Sequence, residues 1–293
     1  MRIGLVDVDG HNFPNLCLMK LSAWHKERGD DVEFAIPLLP YDRIYMARVF
    51  DDTYTHDDMT AYQCDDIRKG GTGYGLNNVL PDDVEHCFPD YSLYGINDTA
   101  YGFLTRGCPR GCEFCIVGRK EGRCSRKVAN LSEFWNGQKN IKLLDPNIIA
   151  CKEWKTLLQQ LIDSKSMVDF TQGVDIRMMT EEKAEMISKI RMSMIHFAWD
   201  NYPDEVVYNQ LKKYRKYFHG KHKPSVYVLT NFNTTHEQDM DRVHKISSLD
   251  YEPYVMIYDK PNAPTITRYL QRWANNKRVF NTVKFCDFDP KMA

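Results

Sequence analysis

The chain has 293 residues, 43% of them hydrophobic and 27% charged, and a formal net charge of −1. That is an ordinary globular composition, enough for one large α/β domain or two smaller ones, without a global field that would gather nucleic acid or a membrane surface. No apolar run approaches the ~18 residues of a membrane-spanning helix, and the opening MRIGLVDVDGHN has no apolar leader segment, so with nine cysteines a reducing cytoplasmic setting is expected.

In chain order, residues 2–8 read as a short buried strand carrying Ile3, Leu5 and Val6. A polar turn leads to a helix over 16–28, with Leu16, Met19, Leu21 and Trp24 at helical spacing and Gly29 as its stop. A strand at 32–36 and an apolar run at 44–50 follow, and 66–75 ends in Gly70-Gly71-Thr72-Gly73-Tyr74-Gly75. This is half of a doubly wound sheet. A small flavodoxin- or Rossmann-like domain is therefore expected over 1–76, with a linker over 77–98 holding Pro81 and Pro89.

From Ala100 strands and helices alternate. Strands are expected at 101–105, 141–144, 168–176, 194–199, 225–229 and 254–258. Helices are expected at 152–164, from Thr180, from Pro203, at 236–247 and at 266–275. Six such units predict an α/β fold with a partial (β/α)6 TIM-like barrel over 99–293. Its chemistry belongs at the C-terminal ends of the strands. Those ends carry Asp145, Asn147, Gln172, Asp175, Arg177, Asp200, Asn201, Thr230, Asn231, Asp259 and Lys260. Strands also end in polar turns, so any one of these is equally a turn residue.

Cys108, Cys112 and Cys115 stand at C-x3-C-x2-C, with Gly107, Pro109 and Gly111 between and before them. Three thiolates so close converge only around a soft metal or a cluster. Four cysteines complete an iron–sulfur cube, so three leave one iron open. The alternative is a structural zinc site that adds Cys124, although zinc sites more often pair two C-x2-4-C knuckles.

With Phe114 just before the third cysteine, this motif resembles the radical S-adenosylmethionine superfamily. The resemblance implies a 4Fe-4S cluster on Cys108, Cys112 and Cys115, with S-adenosylmethionine chelating the open iron. One electron then gives methionine and a 5′-deoxyadenosyl radical that takes hydrogen from a substrate. It also implies the (β/α)6 shape and a small flavodoxin- or ferredoxin-type electron donor. Phe114, Asp145, Asp175, Arg177, Asp200 and Asn231 become the expected S-adenosylmethionine-binding residues. Asp145 matches the family's ammonium site by position, without its Gly-Gly-Glu. Phe114 would pack on adenine or cluster, and Arg177 would grip the carboxylate. No catalytic residue or substrate is assigned.

Two further resemblances concern the front of the chain. Asp9-Gly10-His11-Asn12-Phe13-Pro14 is similar to the cobalamin-binding pattern Asp-x-His-x-x-Gly, with Pro14 in the glycine's place. That family sets the histidine on cobalt, lets the aspartate hold it, and brings glycines such as Gly70-Gly71 against the nucleotide tail. Ala47-Arg48-Val49 stands where it has Ser-x-Leu. The segment from Cys115 to Arg126 resembles methylthiotransferases, which would need a second cluster on Cys17, Cys64 and Cys87. The basic, aromatic run Lys212–Lys223 would suit nucleic acid or a solvated helix face. A non-enzymatic zinc or nucleic-acid-binding module is the third alternative.

Overall fold

The computed structural model describes residues 1–10, 13–51 and 53–292. The chain divides into two compact units, Met1–Gly102 with Ala129–Lys139, and Phe103–Val128 with Asn140–Ala293.

The first unit contains β1 (Arg2–Asp7), α1 (Leu16–Glu27), β2 (Asp31–Phe34), β3 (Arg43–Ala47), β4 (Ile67–Gly70), α2 (Asp82–Glu85) and β5 (Thr99–Gly102). The first four strands form a sheet in the order β2-β1-β3-β4, parallel throughout. Asn15 starts α1 by accepting the Cys17 and Leu18 N–H groups. Ile3, Leu5, Leu18, Leu21 and Ala47 form one buried cluster, and Tyr41, Ile44 and Met46 another. Alternate strand residues thus feed both faces of the sheet. Residues 77–98, expected as a linker, carry α2 and a 3-10 turn and belong to this unit, with Val84 and Tyr91 buried.

The second unit contains β6 (Thr105–Arg106), α3 (Val117–Lys120), β7 (Arg126–Lys127), β8 (Asn140–Leu143), α4 (Trp154–Ser164), β9 (Met167–Phe170), α5 (Glu181–Ser188), β10 (Met192–Ala198), α6 (Glu205–Tyr214), β11 (Ser225–Thr230), α7 (His236–Ser248), β12 (Glu252–Ile257), α8 (Thr265–Asn275) and α9 (Lys277–Thr282). Strands β8 to β12 pair in sequence order, all parallel. One face is a continuous apolar layer: Ile141, Val168, Phe170, Ile195, Phe197, Val226, Val228 and Val255 are buried, as are Leu157, Ile187, Leu211, Ile246 and Leu270 of the helices. β12 is the last strand of the order. Its Val255 N–H donates to Asn275 Oδ1 at 2.8 Å, and Asn275 Nδ2 donates back to the Val255 carbonyl at 3.0 Å.

Two expected strands differ. The one at 101–105 is split: Thr99–Gly102 ends early, and Thr105–Arg106 pairs antiparallel with Arg126–Lys127. The one at 168–176 stops at Phe170, because Gly173 turns the chain at φ +101° and Asp175 caps a 3-10 turn over Ile176–Met178. Val174 and Ile176 are buried, so their apolar character mimics a longer strand. Among the described residues no helix is long and apolar enough to cross a membrane.

Candidate active site at the cysteine loop

The cysteine loop joins β6 to α3. Gly107 at φ +85° and Gly111 at φ +58° take left-handed conformations that favour glycine, and a side chain on Gly107 would collide with the Cys124 carbonyl. Cys108 N–H donates to the Gly122 carbonyl at 3.2 Å, and Cys115 N–H to that of Cys112 at 3.0 Å. Glu121 braces the entry by accepting from Arg106 Nη1 at 2.9 Å and Gly107 N–H at 3.0 Å. Arg106 is therefore ion-paired.

All nine cysteines are thiols, none in a disulfide. Burial pushes the Cys112 and Cys115 thiols up, and the Asp200 carboxylate adds to the rise. A bound metal would reverse this, because coordination deprotonates a thiol outright. Among the described residues no three Cys, His, Asp or Glu gather closely enough to hold a single metal ion. Cys124, the fourth ligand of the zinc alternative, is exposed, with its thiol toward the Ser125 carbonyl at 3.8 Å.

The loop reaches the ends of the parallel strands. Asn147, just past β8 and buried, points Nδ2 at Cys108 Sγ at 3.7 Å and at Met178 Sδ at 3.6 Å. Past β9, Asp175 lies 3.4 Å from Arg110 Nε and takes Arg177 Nε at 2.7 Å. Past β10 stands Asp200, whose carboxyl burial raises to about 6. Past β11, the Phe232 ring meets Phe114 edge-on at 5.5 Å and Tyr258, past β12, at 5.0 Å. Asn147 Oδ1 and Asp175 Oδ2 are buried and accept no hydrogen bond among the described residues. Buried acceptors are ordinarily paired, so Asn147 Oδ1 is open to a ligand's donor, while Asp175 Oδ2 has only the ion pair with Arg110.

One buried arginine organises this rim. Arg242 of α7 donates to the carbonyls of Trp199 (2.5 Å), Asp200 (2.9 Å) and Leu229 (2.8 Å), and pairs with Asp239 at 2.5 Å. It thereby ties the exits of β10 and β11 together. Nothing in a lone arginine inside an amphipathic helix signals that role.

Several expected assignments change. Asp145 is buried and accepts Leu104 N–H at 3.1 Å, Thr105 N–H at 2.6 Å and the Thr105 hydroxyl at 2.6 Å. It anchors the segment feeding the cysteine loop and presents nothing to an ammonium group. Arg177 is held between Asp175 and Asp204, the latter at 3.3 Å, so its charge is already shared when any carboxylate arrives. Asn231, at φ +62°, donates to the Tyr258 carbonyl at 2.8 Å and links two strand exits. Phe232 and Tyr258 were not expected at the site, and nothing in the sequence marks them. Asn147 was expected there only as one of the strand-end residues, without a cofactor role.

In the first unit the cobalamin-like residues are engaged internally. Asp9 accepts Val49 N–H at 2.8 Å and Phe50 N–H at 2.7 Å, so it is not available to hold a histidine. His11 lies outside the described residues. Side chains on Gly71 and Gly73 would collide with the carbonyls of Arg48 and Phe50. These glycines serve the packing of the loop on the β3 exit. For the second cluster, the Cys64 thiol donates to the Asp66 carbonyl at 3.4 Å and the Cys87 thiol to that of Asp83 at 3.1 Å. Each cysteine belongs to its own turn, and Cys17 is exposed on α1. In the basic run, Arg215 and Lys223 both pair with Asp250, at 2.6 Å each.

The chain has a fold that a radical S-adenosylmethionine methyltransferase uses. A solved structure that shows it is the radical S-adenosylmethionine methyltransferase TsrM from Kitasatospora setae, with cobalamin and a 4Fe-4S cluster bound. It matches 87% of this chain and 74% of its own, with a TM-score of 0.62 and 11% sequence identity. The likeness is one of fold. No protein-family model and no curated protein sequence matches the chain.

Proposed function

We propose that the protein is a radical S-adenosylmethionine enzyme, with Cys108, Cys112 and Cys115 holding a 4Fe-4S cluster in a partial (β/α)6 barrel over 99–293. The observation that carries this reading is the contact of the cysteine loop with successive strand ends: Cys108 with Asn147, Arg110 with Asp175, Phe114 with Phe232. Thiols at the C-terminal ends of parallel strands stand where such folds do chemistry.

When bound, the cluster would supply one electron to the sulfonium of S-adenosylmethionine and so start hydrogen abstraction from a C–H bond. The chain's own residues would hold and shield that centre. Asn147 offers Cys108 a hydrogen bond and keeps Oδ1 for a cofactor donor. Arg110 and Arg177 balance the charge of Asp175. Phe114, Phe232 and Tyr258 form a run of edge-on rings beside the loop that would offer a flat apolar surface to the cofactor. Asp200 lies close enough to act on Cys112 and Cys115. A small flavodoxin- or ferredoxin-type protein would supply the electron, in a cytoplasmic setting. The first unit would serve as a cobalamin-domain-like scaffold, but its described residues do not fit cobalamin, and no step is derived through it.

Anaerobic reconstitution tests the reading. It expects about four irons and four sulfides per chain and 5′-deoxyadenosine on adding dithionite and S-adenosylmethionine. Zinc without iron, or a loaded cluster with no 5′-deoxyadenosine, would defeat it. About eight irons would move the chain to the methylthiotransferase class.

A further inference from the structure

The sheet strands β8 to β12 of the second unit present two unlike faces. Opposite the apolar layer, Asp169 of β9, Thr171 just past it, His196 of β10 and Tyr227 of β11 come together. The His196 ring lies flat on Tyr227, with centroids 4.9 Å apart and planes 6° apart. Tyr254 of β12 meets Tyr227 edge-on at 5.7 Å and is 46% exposed, so the aromatic row opens to solvent.

The hydrogen bonds of this group define what it lacks. His196 Nδ1 stands 3.1 Å from the Phe170 carbonyl. A carbonyl only accepts, so Nδ1 carries the hydrogen. Burial pushes the ring below its ordinary value, so it is neutral and Nε2 bears a lone pair. The Tyr227 hydroxyl is committed to the Thr171 carbonyl at 3.0 Å. Asp169 Oδ1, 3.9 Å from His196 Nδ1, is buried and closes no hydrogen bond among the described residues; the neighbouring Thr171 hydroxyl lies near enough to favour the charged carboxylate, but Oγ1 closes no hydrogen bond there either. Lys142 and His222 act on Asp169 as charges without closing a hydrogen bond to that oxygen. The group therefore offers acceptors and flat aromatic surface, with the Thr171 hydroxyl as its one uncommitted donor. An unpaired buried carboxylate oxygen is costly, and a cation relieves it best.

We propose that this group binds a small molecule that presents a protonated amine on a flat or apolar body. The ammonium takes the open positions on Asp169 Oδ1 and Thr171 Oγ1. The body packs along Tyr227 and Tyr254, where a nearby cation also gains from the ring faces. His196 Nε2 accepts from any second donor. Taken as the substrate site of the proposed enzyme, the assignment rests on that reading; as a binding site it stands on this geometry alone.

The test is calorimetric titration of the full chain with phenethylammonium chloride and, separately, sodium 3-phenylpropanoate. The ammonium should bind and the anion should not. Asp169→Asn should weaken ammonium binding about tenfold or more, since bonds to charged groups are the strong ones. Thr171→Val, close in shape, should weaken it a few-fold and carries the test if Asp169→Asn fails to fold. The proposal is overturned by no ammonium binding at about 10 mM, by equal binding of the anion, or by unchanged affinity in the folded variants. Iron content and 5′-deoxyadenosine are measured on the same preparations. Amine binding by a chain that cleaves no S-adenosylmethionine keeps the site and removes the enzyme reading; cleavage without amine binding does the reverse.

Discussion

Both units are built on parallel strands, and they treat the exits of those strands in opposite ways. In the first unit the exits close on themselves. Asp9 caps the N–H groups of Val49 and Phe50, Tyr94 donates to Asp7 Oδ2 at 2.5 Å, and Gly71 and Gly73 let one turn lie against another's carbonyls. In the second unit the exits keep three thiols, two acceptors on Asn147 and Asp175 that close no hydrogen bond among the described residues, and a carboxyl on Asp200 raised by burial. A parallel sheet supplies a place for chemistry, and only unspent polar groups at its rim turn that place into a site.

The contrast breaks most sharply on the cysteines. Cys112→Ala should remove the cluster and all 5′-deoxyadenosine formation, whereas Cys17, Cys64 and Cys87 replaced together by Ala should leave iron content unchanged. Iron assays and chromatography of the nucleoside decide this. Next in size, Arg242→Ala should cost about 3–5 kcal/mol in urea unfolding, because it strands the buried Asp239 carboxylate and the carbonyls of β10 and β11.

Asp145 gives a pH signature. Burial raises its folded value from the ordinary 3.8 to about 6, against the pull of its three hydrogen bonds. A raised carboxyl contributes stability that is full below the unfolded value and is lost as pH rises through the folded one. Unfolding free energies at pH 4 and pH 7 should therefore show the wild type losing about 2 kcal/mol relative to Asp145→Asn. In the first unit, Gly73→Ala should cost about 1–3 kcal/mol by crowding the Phe50 carbonyl, with iron loading untouched. Smallest is Tyr94→Phe, at about 1 kcal/mol, read as a lower unfolding midpoint with normal iron content.

Much of the layout was legible because its signals are local. The cysteine spacing, the glycines around it, the alternation of strands and helices after residue 140 and the helix start at Thr180 all lie within a few residues of what they shape. What was missed depends on distant partners. Asp145 reads as a strand-end acid, and its role comes from N–H groups about forty residues earlier. Phe232 and Tyr258 join the rings beside the loop only when β11 and β12 lie side by side. The overlong strand at 168–176 arose because Val174 and Ile176 are as apolar in a 3-10 turn as in a sheet. Asp9 looked like a ligand's partner because its preference for caps competes with every other use of a carboxylate.

The side-chain amide of Asn275 matters beyond the one residue it touches. It offers Val255 one donor and one acceptor, the same pair that another strand would bring, and so ends the hydrogen-bond ladder at β12 with a single residue. A passing chain finds no free template at that position, which guards an exposed edge against runaway self-assembly. Yet Tyr254, Met256 and Tyr258 of the same segment stay exposed. The margin is shut to backbone and open to side chains, so a guest can come in over it without the sheet recruiting a stranger.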